Sequence, residues 1–232
     1  PLFMGAEIEW LTPQSEYRPT EYMQGWMKFW FEDEKRLIAA KIFQQARIDF
    51  LRKTWGKDRD LQQEGFAVDQ PELVQALGNF ALKIPKMQKV GDLLLAEASM
   101  TKQLYKIAAT QTKLSSFSRN HESNDSANDF LNHGNYLAYG LAACTLWVLG
   151  IPHGFAVMHG KTRRGALVFD VADLIKDAIV LPWAFICAKE NATEQEFRQQ
   201  VLQKFTEHKC LDFMFDQVKA IALKDWSKED EL

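Results

Sequence analysis

Residues 159–173 (HGKTRRGALVFDVAD) hold the side chains of this chain that are best suited to chemistry. A histidine, a basic loop between two glycines, a short apolar run and two aspartates follow one another without interruption. His159 and Asp173 can be ligands of a divalent cation, and a ligand set without a thiolate favours Mg²⁺ or Mn²⁺ over structural zinc. The loop adds three basic side chains, Lys161, Arg163 and Arg164. These can offset phosphate charge, so the segment predicts metal-assisted chemistry on a phosphate.

Each of these residues also has an interpretation without chemistry. A lone histidine is commonly a hydrogen-bonded core residue. Asp170 and Asp173 have the spacing of an N-cap and N3 pair, and acidic residues in a first turn stabilise a helix by about 0.3–1 kcal/mol. The order of the residues, rather than any one of them, favours a functional site.

Glu97 is out of place on the apolar face of a helix predicted over residues 87–113. Leu93, Leu94 and Met100 lie on the same face at helical spacing. A buried ionised carboxylate is costly unless a cation, a metal or a hydrogen-bond donor meets it. Two interpretations stay open, a buried ion pair and a metal ligand.

The elements that must position these side chains are mostly helices. Apolar residues recur at helical spacing over about 20–31, 33–54, 71–82, 87–113, 127–149, 170–180, 193–206 and 210–226. The run 127–149 is apolar almost all round, which predicts a central helix and a buried Cys144. The sequence predicts a mainly α fold, a helical bundle with at most a few short β segments near the N-terminus and around 166–169.

The composition of the 232-residue chain is that of a globular protein, with 47% hydrophobic and 25% charged residues. A net charge of −3 argues against a general nucleic-acid coat but leaves room for a local basic groove. No run approaches the roughly 20 apolar residues that span a bilayer, so we expect no membrane partner. Three cysteines without metal-type spacing favour free thiols and the reducing cytoplasm.

Positive charge is concentrated between residues 83 and 119, where Lys102 and Lys106 lie on one face of the predicted helix. A basic stripe of this kind is more often a solvated helix face than a DNA contact. The uneven distribution of charge along the chain favours the DNA contact slightly, and both interpretations stay open.

Several motifs together resemble the CRISPR-associated integrases of spacer acquisition, the larger of the two universal adaptation proteins. The motifs are residues 131–140 (LNHGNYLAYG), 150–154 (GIPHG), 159–160 (HG) and 167–173 (LVFDVAD). Residues 9–19 (EWLTPQSEYRP) and 159–165 (HGKTRRG) are similar to the type I-F branch of that family. The resemblance covers nearly all of the chain.

The resemblance implies a metal-dependent DNA endonuclease and integrase, which joins the 3′-hydroxyl ends of spacer DNA to the CRISPR repeat by transesterification. The family's metal triad corresponds here to Glu97, His159 and Asp173, with Mg²⁺ or Mn²⁺ as the cofactor and Asp170 in a supporting role. The resemblance also implies double-stranded DNA, as spacer fragment and as repeat, and a homodimer. In type I-F the second universal adaptation protein is a further partner, fused to the interference helicase–nuclease.

Family members place a β-rich domain before the helical catalytic domain. We therefore expect residues 1–18 to be a remnant or linker of that β domain, most of which would be lacking, and residues 19–232 to be the α-helical catalytic domain. Ala98 departs from the family, because many relatives have glycine after the glutamate. Two other functions stay open: a non-catalytic helical scaffold that docks DNA or a partner protein, and a metal-dependent phosphoesterase with another substrate.

Overall fold

The computed structural model describes residues 2–4, 7–10, 20–114, 117–120, 122, 125–160 and 165–227. Two short strands come first along the chain. Strands β1 (Leu2–Met4) and β2 (Glu7–Trp10) pair antiparallel in a two-stranded sheet, with Phe3 opposite Ile8.

The regular elements between residues 20 and 227 are helical wherever the structure describes them. The α-helices are α1 (Glu21–Trp30), α2 (Asp33–Lys57), α3 (Arg59–Gln63), α4 (Pro71–Lys83), α5 (Val90–Gln111), α6 (Ser126–Val148), α7 (Ala166–Ile175), α8 (Leu181–Lys189), α9 (Glu194–Glu207) and α10 (Cys210–Ala222). A 3₁₀ turn (Ile84–Lys86) follows α4, and a π-helical segment (Lys176–Val180) joins α7 to α8. The predicted mainly α fold is confirmed. No helix in the described ranges is long and apolar enough to cross a bilayer.

Local sequence signals set the starts of several helices. Thr193 and Glu196 form a capping box at α9, in which each side chain satisfies a backbone N–H of the other residue. The Asp58 side chain accepts the backbone N–H groups of Asp60 and Leu61 at the start of α3. Pro71 occupies the first turn of α4, where its missing N–H has no cost.

The centre of the domain is the continuous run of α7, the π-helical segment and α8. Nearly every residue of this run is buried, and it packs against α2 on one side and α6 on another. A helix that is apolar on all sides is stable only when neighbouring elements surround it. The two aspartates of the chemical segment therefore lie inside the core rather than at its edge.

The strand predicted around 166–169 is wrong, because these residues form the first turn of α7. Gly165 precedes the helix with a φ of +65°, and the Leu167 backbone N–H donates to the carbonyl of His153. A short apolar run is compatible with either a buried strand or a buried helix. The N-cap interpretation of Asp170 and Asp173 is wrong for the same reason, since both lie within α7.

The prediction that α6 is buried all round, with Cys144 inside, is also wrong. Ala138 and Ala142 are fully buried, but Tyr136 is 73% exposed and Cys144 is exposed. The number of apolar residues in a helix does not show whether the helix is central or lies at the surface with some apolar side chains exposed. Much of the surface of any protein is apolar.

Helices α1 and α10 cross closely at Gly25, where an added Cβ would overlap the backbone carbonyl oxygen of Ala222. We expect Gly25→Ala to lower the free energy of unfolding by about 1–3 kcal/mol, because a backbone carbonyl cannot rotate away from the methyl group. Gly78→Ala in α4 is the matched control, since no atom lies within 4 Å of its added Cβ. The control should be stabilised by about 0.5–1 kcal/mol. Urea unfolding measures both, and similar values for the two variants would contradict the close crossing.

Candidate functional site

The three side chains that the sequence predicts as metal ligands line one small cavity of about 140 Å³, between α2, α5, α6 and the run after residue 166. Its wall includes the three predicted ligands and three further charged residues, namely Glu97, His159, Asp173, Arg47, Lys176 and Asp177. The predicted triad is therefore brought together, although Glu97 lies far from the other two residues in the chain.

The loop that carries His159 is fixed by hydrogen bonds from two other helices. On α1, the indole N–H groups of Trp26 and Trp30 donate to the carbonyl oxygens of Phe155 and Ala156 at 3.0 and 2.7 Å. On α7, the Asp170 carboxylate accepts the backbone N–H groups of residues 157–159 at 2.8 to 3.1 Å. The loop is thus anchored by donors on one side and by an acceptor on the other.

Asp170 also sets the orientation of the His159 ring. One of its oxygens lies 2.6 Å from His159 Nδ1. Because an ionised carboxylate only accepts hydrogen bonds, this contact places a proton on Nδ1 and directs Nε2 into the cavity. A histidine held in this way by a carboxylate has the arrangement of many metal-bound histidines.

Asp173 faces His159 across the cavity, with its Oδ2 lying 4.0 Å from Nε2. Its other oxygen, Oδ1, pairs with Nζ of Lys176 one turn further on. Burial disfavours the ionised form of Asp173, but the charges of Lys176 and Arg47 outweigh burial and lower the pKa of this carboxyl. Burial likewise disfavours charged His159, but the Asp170 hydrogen bond and the Asp173 charge outweigh burial and raise the imidazole pKa.

Glu97 reaches the cavity from α5 and meets a buried arginine of α2. Arg47 is 3% exposed, and its Nη1 lies 2.6 Å from Glu97 Oε1. Its Nε donates to Asp177 Oδ2, also at 2.6 Å. Thr101 Oγ1 donates to the same Glu97 oxygen at 2.9 Å. The structure therefore contains the buried ion pair that was one of the two interpretations of Glu97.

Sequence reasoning missed Arg47 and Lys176 as members of this site. Arg47 carried the same signal as Glu97, because it is a charged residue on a helix face between Phe43 and Phe50. Lys176 had a weaker signal, namely its position three residues after Asp173 on one helical face.

The predicted DNA-binding residues divide into two groups. Lys161, Arg163 and Arg164 lie outside the described residues. Lys102 and Lys106 are exposed on α5, the helix that carries Glu97, and neither lines the cavity. Their exposure is compatible with a solvated face and with a phosphate contact.

A second group of side chains could hold a metal ion by spacing. Ligand atoms of Asp58, Glu207 and His208 lie within 4.8 Å of one another. However, Nζ of Lys204 already lies 3.2 Å from Asp58 and 2.9 Å from Glu207, and it is also 2.6 Å from Asp60. The ammonium group supplies the positive charge there, so we interpret the group as a structural ion-pair network. The prediction that His208 is exposed, which follows from its polar sequence context, is wrong, because His208 is partly buried and pairs with Asp58 in this network.

The fold and the cavity define a helical domain with a candidate divalent-cation site made of two carboxylates and an imidazole. The chain belongs to the Cas1 family, because the family model described as CRISPR associated protein Cas1 matches residues 11–211.

Individual relatives agree with this assignment. The chain is 52% identical over 228 residues to the CRISPR-associated endonuclease Cas1 of Pseudomonas aeruginosa (strain UCBPP-PA14), a match that covers 96% of the chain and 70% of the relative. Its fold is similar to a Cas1 protein from Thermotoga maritima, with a TM-score of 0.74, 14% identity and coverage of 95% and 76% of the two chains. It is also similar to TtCas1 in a DNA complex, with a TM-score of 0.63, 16% identity and coverage of 93% and 69%. The two structural similarities bear on the fold alone.

The Lys204 network gives a prediction for acid stability. Burial disfavours ionised Asp58, but hydrogen bonds from His208, the Leu61 backbone and Lys204 outweigh burial and lower the Asp58 pKa. A lowered folded-state pKa contributes stability above the unfolded value, about 3.9, that is lost as the pH falls through the folded value. We expect Asp58→Asn to be less stable than the unsubstituted protein at pH 7 and the difference to shrink below about pH 4.

Asparagine is the appropriate substitution because it preserves the helix cap and removes only the charge. Urea unfolding at pH 7, 5 and 3.5 measures the difference. A stability difference that stays constant over this range would show that the charge of Asp58 does not matter.

Proposed function

We propose that this chain acts as a metal-dependent DNA endonuclease and integrase of CRISPR adaptation, joining the 3′-hydroxyl ends of spacer DNA to the CRISPR repeat by transesterification. The observation that carries the proposal is the convergence of Glu97, His159 and Asp173 on one cavity. The 52% identity to a CRISPR-associated endonuclease Cas1 over most of the chain supports it.

Glu97, His159 and Asp173 are the proposed ligands of Mg²⁺ or Mn²⁺. Two ligand atoms that are each about 2.1 Å from an octahedral ion lie about 3.0 Å apart when adjacent and about 4.2 Å apart when opposite. The 4.0 Å between His159 Nε2 and Asp173 Oδ2 is near the distance between opposite ligands, so one ion can contact both atoms. Carboxylate and imidazole donors without a thiolate also fit these two ions. When bound, such an ion acts as a Lewis acid that polarises the scissile phosphate.

The surrounding side chains prepare the site for that chemistry. Asp170 is proposed as the supporting residue, since it anchors the His159 loop through three backbone amides and keeps Nε2 directed at the cavity. Glu97 and His159 are only partly buried, with 16% and 22% of their side chains exposed, so both remain accessible to a phosphate. Low local dielectric strengthens the attraction between these groups and a cation.

DNA phosphates are proposed to contact Lys102 and Lys106 on α5, together with the basic residues Lys161, Arg163 and Arg164. The position of the two lysines supports this, because they follow Glu97 on the same helix and are exposed. Contacts of this kind fix the position of a duplex without reading its sequence.

The remaining partners follow from the family resemblance. We propose a homodimer of the type I-F branch that acts on double-stranded DNA in the cytoplasm, together with the second adaptation protein fused to the interference helicase–nuclease. The motifs at 9–19 and 159–165 support the branch. We also propose that residues 1–18 are a remnant or linker of a β domain and that the boundary to the α-helical catalytic domain, residues 19–232, lies after them. The position of β1 and β2 before the first helix supports that boundary.

Removing any one proposed ligand should abolish Mg²⁺- or Mn²⁺-dependent cleavage and strand joining. Glu97→Ala, His159→Ala and Asp173→Ala each delete a charge or lone pair that the metal needs, and we expect each to reduce the rate at least about a hundredfold. Assays with a labelled DNA fragment and a repeat-containing duplex measure both reactions. Asp92→Asn, an exposed acid on the same helix as Glu97, is the control and should retain activity.

Activity that survives in all three variants would refute the triad. Metal-dependent hydrolysis of simple phosphodiesters without strand joining would favour the phosphoesterase. A scaffold would bind DNA equally with and without metal and show no turnover.

Lys102→Ala combined with Lys106→Ala should weaken DNA binding uniformly across sequences. The slope of the logarithm of affinity against the logarithm of salt concentration should become shallower by about 0.9 for each phosphate that a lysine no longer neutralises. Fluorescence anisotropy measures this slope with two unrelated duplexes. The salt concentration is varied between about 50 and 200 mM, a range over which the affinity of a phosphate-binding protein changes strongly. Lys28→Ala combined with Lys35→Ala, on α1 and α2, is the charge-matched control. An unchanged slope in the α5 variant would show that Lys102 and Lys106 do not contact DNA phosphates and belong to a solvated helix face.

A further inference from the structure

The three proposed ligands share one arrangement: each is held through one polar atom and presents a second one to the cavity. Asp170 holds His159 through Nδ1, Arg47 holds Glu97 through Oε1, and Lys176 holds Asp173 through Oδ1. The remaining atoms, Nε2, Oε2 and Oδ2, are not used in these three contacts, and Nε2 and Oδ2 lie 4.0 Å apart.

Glu97 is held by a rigid and permanently charged group. The Arg47 guanidinium is planar, and its Nε and Nη2 face Asp177 while Nη1 faces Glu97. Nη2 also donates to Thr101 Oγ1 at 3.1 Å, and that hydroxyl in turn donates to Glu97 Oε1. Arg47 cannot turn away from Glu97 without leaving Asp177 unpaired, because the fork geometry is fixed.

Asp173 is held from its own helix. Lys176 lies one turn further on, its side chain is 19% exposed, and its ammonium group pairs with Asp173 Oδ1. The same Nζ lies 5.4 Å from the centroid of the Tyr139 ring. A cation over an aromatic face is stabilised there, so the ring favours the position in which Lys176 occupies Oδ1.

We propose that Arg47 and Lys176 are positioning residues that restrict Glu97 and Asp173 to one ligand oxygen each, and thereby select a small octahedral cation over Ca²⁺. This inference rests on the proposed metal site. Ca²⁺ takes six to eight oxygens at about 2.3–2.6 Å and often binds both oxygens of a carboxylate, whereas Mg²⁺ demands near-octahedral geometry at about 2.0–2.1 Å. Three ligands that each offer one atom suit the smaller ion.

The ratio of two affinities separates this role from a simple effect of charge. Removing a buried positive charge strengthens the binding of any divalent cation, because the cavity becomes more negative. That contribution is the same for Mn²⁺ and Ca²⁺ and cancels in the ratio of their dissociation constants. Freeing a second carboxylate oxygen favours Ca²⁺ alone, so the ratio changes only if Arg47 and Lys176 control the binding mode.

Isothermal titration calorimetry of the whole chain with Mn²⁺ and with Ca²⁺ tests the proposal. For Lys176→Met, which preserves side-chain length and removes the donor, we expect the preference for Mn²⁺ over Ca²⁺ to fall about tenfold. Arg47→Lys retains the charge but cannot bridge Asp177 and Glu97, and its preference should fall in the same direction. Lys189→Met is the matched control, because that lysine pairs with Glu64 outside the cavity. Its preference should be unchanged.

Parallel changes in both affinities, with an unchanged ratio, would overturn the positioning role while leaving the metal site intact. Failure of the proposed function gives a different result: no Mn²⁺ binding to the unsubstituted protein, or binding that survives His159→Ala. Because Arg47 is buried and Lys176 is partly buried, their variants can unfold, and circular dichroism therefore accompanies each titration. A crystal structure of the unsubstituted protein with Mn²⁺ provides a test without substitutions. Glu97 or Asp173 bound through both oxygens would contradict the proposal.

Discussion

The site depends on charge compensation around Arg47. Glu97, Asp173 and Asp177 place three carboxylates on one small cavity, and burial raises the pKa of Asp177 because an ionised group is unfavourable there. Arg47 lies between Asp177 and Glu97 and is itself almost fully buried. Removing one partner of such a buried pair commonly costs about 3–5 kcal/mol, because the other charge is left without compensation. The carboxylates can occupy the core because Arg47 and Lys176 enter with them.

The same interaction fixes helices that are distant in the sequence. Arg47 connects α2 to α5 through Glu97 and to the π-helical segment through Asp177. A second bond from α2 to that segment runs from the Trp55 indole to the Ala178 carbonyl at 3.0 Å. Apolar contacts tolerate sliding of one helix along another, whereas hydrogen bonds in a low-dielectric interior are directional and strong. The relative positions of Glu97 and Asp173 are therefore set by polar bonds rather than by the apolar core around them.

Much of the fold follows from the sequence, because the 3.6-residue apolar period identifies long helices such as α2, α5 and α10. The errors occur where periodicity is absent. Residues 166–169 are apolar on every side, and α8 follows a π-helical segment with Pro182 in its first turn, where a proline usually indicates that a helix has ended. For the site, Glu97 was recognisable as a carboxylate on an apolar face. Arg47 is likewise a charged residue on an apolar helix face, that of α2. Apolar periodicity does not predict that α2 and α5 pack together, so the Arg47–Glu97 ion pair can be identified only from the structure.

Compensation by internal cations also determines what a metal ion contributes to this domain. In small zinc domains the ligand side chains repel one another until the ion arrives, so metal binding and folding are one process. Here Arg47 and Lys176 already neutralise one side of Glu97 and Asp173, and Asp170 already holds His159. The proposed ligands are therefore in place before any ion binds, so an ion could enter or leave without unfolding the core. The internal cations reduce the negative charge that attracts the ion, which lowers intrinsic affinity. A phosphate next to the cavity restores negative charge, so cation and DNA should each bind more tightly in the presence of the other.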